Sequence, residues 1–223
     1  MSRYPRVIVY NAVSLDGRID NFTADIGLYY ELAGRWRHEA IIAGSGTILT
    51  DTTPDPADAS FDAPVIDAND PRPIMVVPDS RGRVRNWLFL RQQPYWKNVL
   101  ALVSKKTPPE YLDYLWQRHI DFIAAGDEHV DFKIALPELK KRYKVNTVRV
   151  DSGGTLNGVL LRAGLVDKVS VLIHPAMVGG VSPSSIFRAS DCQSPEESIK
   201  LKLTHFEKLK DDIIWLKYDV VKS

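Results

Sequence analysis

The sequence is poor in the residues that several classes of protein require. A single cysteine, Cys192, excludes an internal disulfide and a thiolate zinc cluster, and it fits a reducing compartment. The paired cysteines of a zinc deaminase are therefore missing as well. No apolar run approaches the roughly 20 residues of a membrane span. The opening Met-Ser-Arg-Tyr-Pro-Arg leads into a strand pattern and not a signal peptide, so a cytoplasmic, soluble chain with no membrane partner is expected. Acid and base nearly cancel at a net charge of +1, which leaves no basic stripe for nucleic acid. His38-Glu39 is not part of His-Glu-x-x-His, and neither Gly-x-Ser-x-Gly nor a Gly-Lys-[Ser/Thr] phosphate loop occurs. The five histidines are scattered, and no metal centre is expected.

What is present is an alternation of strand and helix patterns along 223 residues, long enough to bury a sizeable core. Arg6–Val13 reads as a buried strand, and the continuous apolar runs Pro73–Val77 and Asn98–Val103 as strands buried on both faces. Shorter strands are expected at Glu39–Gly44, Asp121–Ala125, Thr147–Val150 and Lys168–His174. Helical spacing covers Leu28–Arg37, Pro109–His119, Asp131–Lys144 and Thr155–Ala163, with Pro137 expected to disturb the first turn of the third or to begin it. Lys200–Lys208 and Ile213–Val221 alternate about Lys210-Asp211-Asp212, a hairpin pattern. Thr50 to Pro71, rich in Pro, Asp and Ala, reads as a surface excursion or a lid. The order predicts an α/β fold with three αβα layers: a mostly parallel central sheet with a C-terminal antiparallel hairpin. No linker separates two complete cores, so residues 1–223 are expected to form a single domain.

In open α/β sheets ligands gather beyond the carboxyl ends of the strands. Three strand ends carry unusual residues. At Val150-Asp151-Ser152-Gly153-Gly154-Thr155, a strand gives way to a helix with an apolar face at Leu156, Val159, Leu160 and Ala163. Ser152 or Thr155 is expected to cap that helix. Gly153-Gly154 would offer bare N–H groups to a phosphate or pyrophosphate at its positive terminus. The alternative is an empty turn that needs positive φ. Gly44-Ser45-Gly46-Thr47 follows a second strand, with Asp51 one helical turn on, but lacks the third glycine of the dinucleotide fingerprint. Pro78-Asp79-Ser80-Arg81-Gly82-Arg83 ends a third, and Arg81 or Arg83 could pair with a ribose 2′-phosphate. His174, at a strand end, reads as a structural histidine before a ligand.

Taken in order, these stretches resemble a known family. Asn11-Ala-Val-Ser-Leu-Asp-Gly-Arg-Ile, Gly46-Thr-Ile-Leu-Thr-Asp51, Pro73–Val84, Gly153–Val169 and Pro175-Ala-Met-Val-Gly-Gly are similar to the reductase domain of riboflavin biosynthesis. The likeness is to its stand-alone archaeal and fungal type, the 2,5-diamino-6-ribosylamino-4(3H)-pyrimidinone 5′-phosphate reductases, with a dihydrofolate-reductase-like fold. The resemblance implies an oxidoreductase that uses NADPH, with NADH as the alternative, and works as a homodimer on a small-molecule substrate. It places Val13 at the nicotinamide through its backbone, Thr47 and Asp51 on the cofactor, and Asp79, Ser80 and Arg81 on its adenosine side. Gly153, Gly154, Thr155 and Leu156 would cradle the pyrophosphate, and Asn11 and Asp151 would meet the substrate. Asp151 and Asp51 are the candidate proton donors. The chain departs from the family at Asp151-Ser152-Gly153, where Glu-Gly-Gly is usual, at Asp25-Ile-Gly-Leu-Tyr-Tyr, and in Thr-Thr-Pro-Asp-Pro-Ala-Asp after Asp51. These changes fall on the substrate side. They keep open a reductase of dihydrofolate or another small heterocycle, or a cofactor-binding dimer without catalysis.

Overall fold

The structure, a computed structural model, describes residues 2–51, 53–56, 62–64, 67, 69–181 and 185–222. Among these the strands are β1 (Arg6–Ser14), β2 (Ala40–Ile42), β3 (Ile74–Pro78), β4 (Asn98–Val103), β5 (Asp121–Ala124), β6 (Thr147–Val150), β7 (Lys168–His174), β8 (Leu201–Lys208) and β9 (Ile214–Val220). The α-helices are α1 (Ile26–Ala33), α2 (Ser45–Ile48), α3 (Trp87–Gln92), α4 (Pro109–Gln117), α5 (Phe132–Tyr143) and α6 (Gly154–Arg162). The chain divides into two compact units, Met1–Pro5 with His38–Val148 and Arg6–Arg37 with Arg149–Ser223.

In the first unit the strand order is β5-β4-β3-β2, and each strand runs parallel to its neighbour. Strand alternation sends Met75, Val77, Val99, Ala101 and Val103 to one face, where they bury against Trp87 and Leu90 of α3 and Tyr111 and Leu115 of α4. Helix α3 has little periodic signal over its six residues and is an addition to the pattern read from the sequence. Helix α5 runs straight through Pro137 instead of starting there. Lacking an N–H, Pro137 forfeits the bond back to Lys133. Asp131 holds the start all the same, its carboxylate accepting the Lys133 N–H at 2.8 Å. The surface excursion expected from Thr50 to Pro71 falls partly on residues 52, 57–61, 65, 66 and 68, outside the described residues.

In the second unit β1 pairs with β7 in parallel, and β7-β9-β8 continue antiparallel. Tyr10, Leu172 and Trp215 bury against Leu28, Tyr29, Leu32 and Ala33 of α1. That helix is shorter than the spacing suggests. It begins earlier because the Asp25 carboxylate accepts the Leu28 N–H at 2.8 Å, and it ends at Gly34. The hairpin turns through Asp211 and Asp212, both at positive φ. On the sheet face opposite α1, pairing aligns Leu203 with Tyr218 and Phe206 with Leu216, and Leu203 and Phe206 are 51% and 63% exposed.

Candidate active site

In the second unit, the chain leaves β6 through Asp151, Ser152 and Gly153 and enters α6. Gly153 is the N-cap, at φ −76° and ψ 171°, and as glycine it brings no side-chain cap of its own. The N-cap position thus falls on Gly153, between the expected Ser152 and Thr155, and Thr155 is exposed. Positive φ is not the reason for the glycines, since neither Gly153 nor Gly154 adopts it. The reason at Gly154 is close packing. A Cβ there would lie 2.0 Å from the Ser185 carbonyl oxygen, and one on Gly158 would lie 1.9 Å from that of Arg188. The Arg188 N–H donates to the Gly154 carbonyl at 2.9 Å, fixing the approach. Gly153 differs: its Cβ would meet only Ile19 Cδ1, at 3.7 Å. A helix N-terminus with an open N-cap glycine fits an anionic group such as a pyrophosphate. Leu156, 8% exposed, turns its side chain into the core, so any ligand contact there is through its backbone.

The neighbouring β1 supplies Asn11 and Val13, both buried. Val13 sits opposite Ile173 in the parallel register with β7. Asn11 donates through Nδ2 to the Ser152 carbonyl at 2.9 Å and accepts at Oδ1 from Asn157 Nδ2, also at 2.9 Å. Asn157 bonds the Ile186 carbonyl as well, at 2.9 Å. Expected at the substrate, Asn11 thus has both ends of its amide engaged inside the unit, as a strut under the Asp151–Gly153 turn. His174 is structural as expected. Its Nε2 accepts the Asp25 N–H at 3.1 Å and its Nδ1 lies 3.2 Å from the Leu172 carbonyl, an arrangement that selects the Nδ1–H tautomer.

Asp151 has the most distinctive surroundings. Its Oδ1 is 2.7 Å from the Tyr29 hydroxyl, and its Oδ2 is 3.5 Å from Arg149 Nη2. Tyr29 Oη is also 3.0 Å from the Tyr10 carbonyl, while the Tyr10 hydroxyl donates to the Tyr29 carbonyl at 2.7 Å. The two rings stack with centroids 4.4 Å apart. Burial pushes the Asp151 carboxyl above the ordinary aspartate range; the Arg149 guanidinium pulls the other way and does not prevail. Burial likewise raises both tyrosine hydroxyls, so they stay protonated. The Arg149 side chain is 6% exposed, and its Nε has no hydrogen-bond partner among the described residues.

In the first unit, Thr47 lies exposed on α2, one turn before Asp51. The Asp51 carboxylate accepts the Thr53 N–H at 2.9 Å, and hydrogen bonding from Thr53 holds it below the ordinary range. The two carboxyl groups expected as proton donors are thus displaced in opposite directions, Asp151 toward the protonated form and Asp51 toward the charged one. Asp79 is 1% exposed and accepts at Oδ2 from the backbone N–H groups of Arg83 and Val84 and from the Tyr111 hydroxyl, at 2.6, 2.8 and 3.0 Å. Its side chain shapes the turn that follows β3. Ser80 Oγ accepts the Val130 N–H at 3.0 Å, and Arg81 extends from the same turn into solvent. Gly82, at φ +61°, completes it with its α-carbon hard against the Tyr111 ring, where a Cβ would stand 2.7 Å away.

No motif marks Tyr10 or Arg149, and Tyr29 and Asn157 lie inside longer stretches that single out neither. The period of two along β6 does align Arg149 with Asp151. Nothing local points to Tyr29, because its partner is 122 residues away.

Fold and strand-end geometry together define an α/β protein of the reductase-domain type. The RibD C-terminal domain family matches residues 5–215, and the chain belongs to that family. It is 30% identical to the 2,5-diamino-6-ribosylamino-4(3H)-pyrimidinone 5′-phosphate reductase of Methanothermobacter thermautotrophicus, over 94% of this chain and 96% of that protein. Among solved structures, Acinetobacter baumannii RibD superposes with a TM-score of 0.72 at 21% identity, covering 99% of this chain and 59% of that one. Saccharomyces cerevisiae riboflavin biosynthesis reductase Rib7 does so at 0.66 and 22%, over 99% and 92% of the two chains. These structures carry the expected fold class, three-layer α/β with mostly parallel strands and antiparallel strands at the C-terminus. No helix of the described residues is long and apolar enough to cross a membrane.

Proposed function

We propose that this chain, acting as one reductase domain over residues 1–223, reduces a ribosylamino-pyrimidine 5′-phosphate to its ribitylamino product with NADPH. The observation that carries the reading is the end-to-end likeness to an archaeal protein of that name. The α6 terminus supports it, because Gly153, Gly154 and Thr155 fit a pyrophosphate there. When bound, the nicotinamide supplies a hydride to C1′ of the ring-opened sugar. The chain must then supply a proton to the adjacent nitrogen, and Asp151, held as the acid by burial, suits that role better than Asp51. The family likeness further assigns Val13, Thr47, Asp51, Ser80 and Arg81 as candidate cofactor contacts; Arg81 would favour NADPH over NADH through a 2′-phosphate.

A homodimer in the cytoplasm is part of the same reading. Its support is the half-exposed apolar sheet face formed by Val171, Ile173, Leu203, Phe206, Leu216 and Tyr218. The activity is tested by incubating the protein with NADPH and the ribosylamino-pyrimidine phosphate. Nicotinamide absorbance should fall as the ribitylamino product appears by mass spectrometry. Absorbance loss no faster than without enzyme overturns the assignment.

A further inference from the structure

The hydroxyl of Tyr29 has one hydrogen and two neighbours that would each accept it. The Tyr10 carbonyl, at 3.0 Å, can only accept. Asp151 Oδ1, at 2.7 Å, can accept when ionised and donate when protonated. An ionised Asp151 therefore leaves one of the two short contacts without a hydrogen, as lone pair against lone pair in a part-buried place. A protonated Asp151 satisfies both: its O–H donates to Tyr29 Oη, and Tyr29 donates to the Tyr10 carbonyl. The remaining oxygen, Oδ2, is then a carbonyl acceptor facing Arg149 Nη2 at 3.5 Å.

We propose that Tyr29 is a positioning residue for Asp151: its hydrogen is committed to the Tyr10 carbonyl, so its oxygen accepts the Asp151 proton and holds that carboxyl as an acid. The role of that acid in turnover rests on the function proposed above, but its protonation does not. The stacked, reciprocally bonded tyrosine pair makes the arrangement rigid, since rotating the Tyr29 hydroxyl toward Asp151 would break the bond to Tyr10. The charged and titratable groups around the carboxyl are Arg149 on β6, Tyr10 on β1, Tyr29 on α1 and, beyond Tyr10, Arg35 at the end of α1. Arg149 favours ionisation of the acid, and Arg35 acts on the Tyr10 hydroxyl. Burial and the hydroxyl chain oppose ionisation. In the reducing step the hydride would add to C1′, the C1′=N π pair would move to nitrogen, and the Asp151 O–H would break as its proton forms the N–H. The carboxylate left behind is reprotonated from solvent.

The test reads Asp151 directly, with no substrate present. Infrared difference spectra of the full chain are titrated, and Asp151→Asn identifies the carboxyl band. In the wild type, the protonated-carboxyl band should persist to a pH well above the titration of a free aspartate. In Tyr29→Phe its loss should shift to lower pH, because the acceptor has gone. Disappearance of the wild-type band in the ordinary aspartate range overturns the proposal even if Tyr29→Phe does not fold. So does an upward shift in Tyr29→Phe, which would mean that Tyr29 had been donating to the carboxylate. The alkaline limb of kcat/KM should move with the band. Absence of any turnover would overturn the functional reading and leave the infrared result standing.

Discussion

Tyr10 and Tyr29 hold each other by a reciprocal pair of contacts, hydroxyl to carbonyl in both directions, with their rings stacked 4.4 Å apart. The pair joins β1 to α1, and Asp151 is attached to its Tyr29 end. Removing the Tyr10 hydroxyl alone separates the structural half of this arrangement from the chemical half. Tyr10→Phe should lower stability in urea by about 1 kcal/mol, the usual net value of one buried hydrogen bond, and leave the Asp151 band where it is. A shift of that band would show that the two halves are not separable.

Asp151 also predicts the sign of a pH effect. An acid raised in the folded state contributes stability that is fully present below its unfolded value and is lost as pH rises through its folded value. Asparagine mimics the protonated form without titrating. The melting temperature of the wild type should therefore fall relative to Asp151→Asn as pH increases from acid toward alkaline. A gap that opens in the opposite direction would mean the carboxyl is stabilised as the anion. Loss of at least about 100-fold in turnover by the same variant is expected for a general acid.

The glycines at the α6 terminus should respond differently to alanine. Gly154→Ala and Gly158→Ala drive a Cβ into backbone oxygen at 2.0 and 1.9 Å, and should cost about 2–3 kcal/mol or more. Gly153→Ala meets only ordinary contact and should melt close to the wild type. Its Cβ nevertheless crowds the proposed pyrophosphate site, so NADPH should bind at least several-fold more weakly by fluorescence titration. Unchanged affinity would remove Gly153 from the cofactor site.

Asp79 should act on stability. Its Oδ2 gathers two backbone N–H groups and the Tyr111 hydroxyl in a fully buried place, so Asp79→Ala leaves three donors unmet. A loss of about 3 kcal/mol or more in chemical denaturation is expected. A variant as stable as the wild type would point instead to a direct contact between Asp79 and the cofactor.

The proposed dimer places weight on Phe206. A charge introduced by Phe206→Glu in the centre of the apolar β8–β9 face should give a monomer in sedimentation, with the wild type a dimer. A dimeric variant would move the interface elsewhere, and a monomeric wild type would remove it.

Much of this molecule is legible in its sequence alone. Strands buried on both faces announce themselves as continuous apolar runs, and β3 and β4 lie where those runs are. The terminal hairpin shows its alternation, and the ordered set of strand-end motifs points to the family because each motif is local in the chain. Helix α3 and the passage of α5 through Pro137 are not legible, since six residues carry little periodicity and one missing N–H is outweighed by packing. The two glycines at the opening of α6 stand out as special but not for the right reason: Gly154 is required by the backbone of residues 185–188, which no local pattern reveals. The same holds for Asp151. Sequence can name it as the acid candidate, but its protonation depends on burial and on a tyrosine 122 residues away. Periodicity and motif are properties of neighbours along the chain, whereas desolvation and hydrogen-bond count belong to neighbours in space, and only the tertiary structure assembles those.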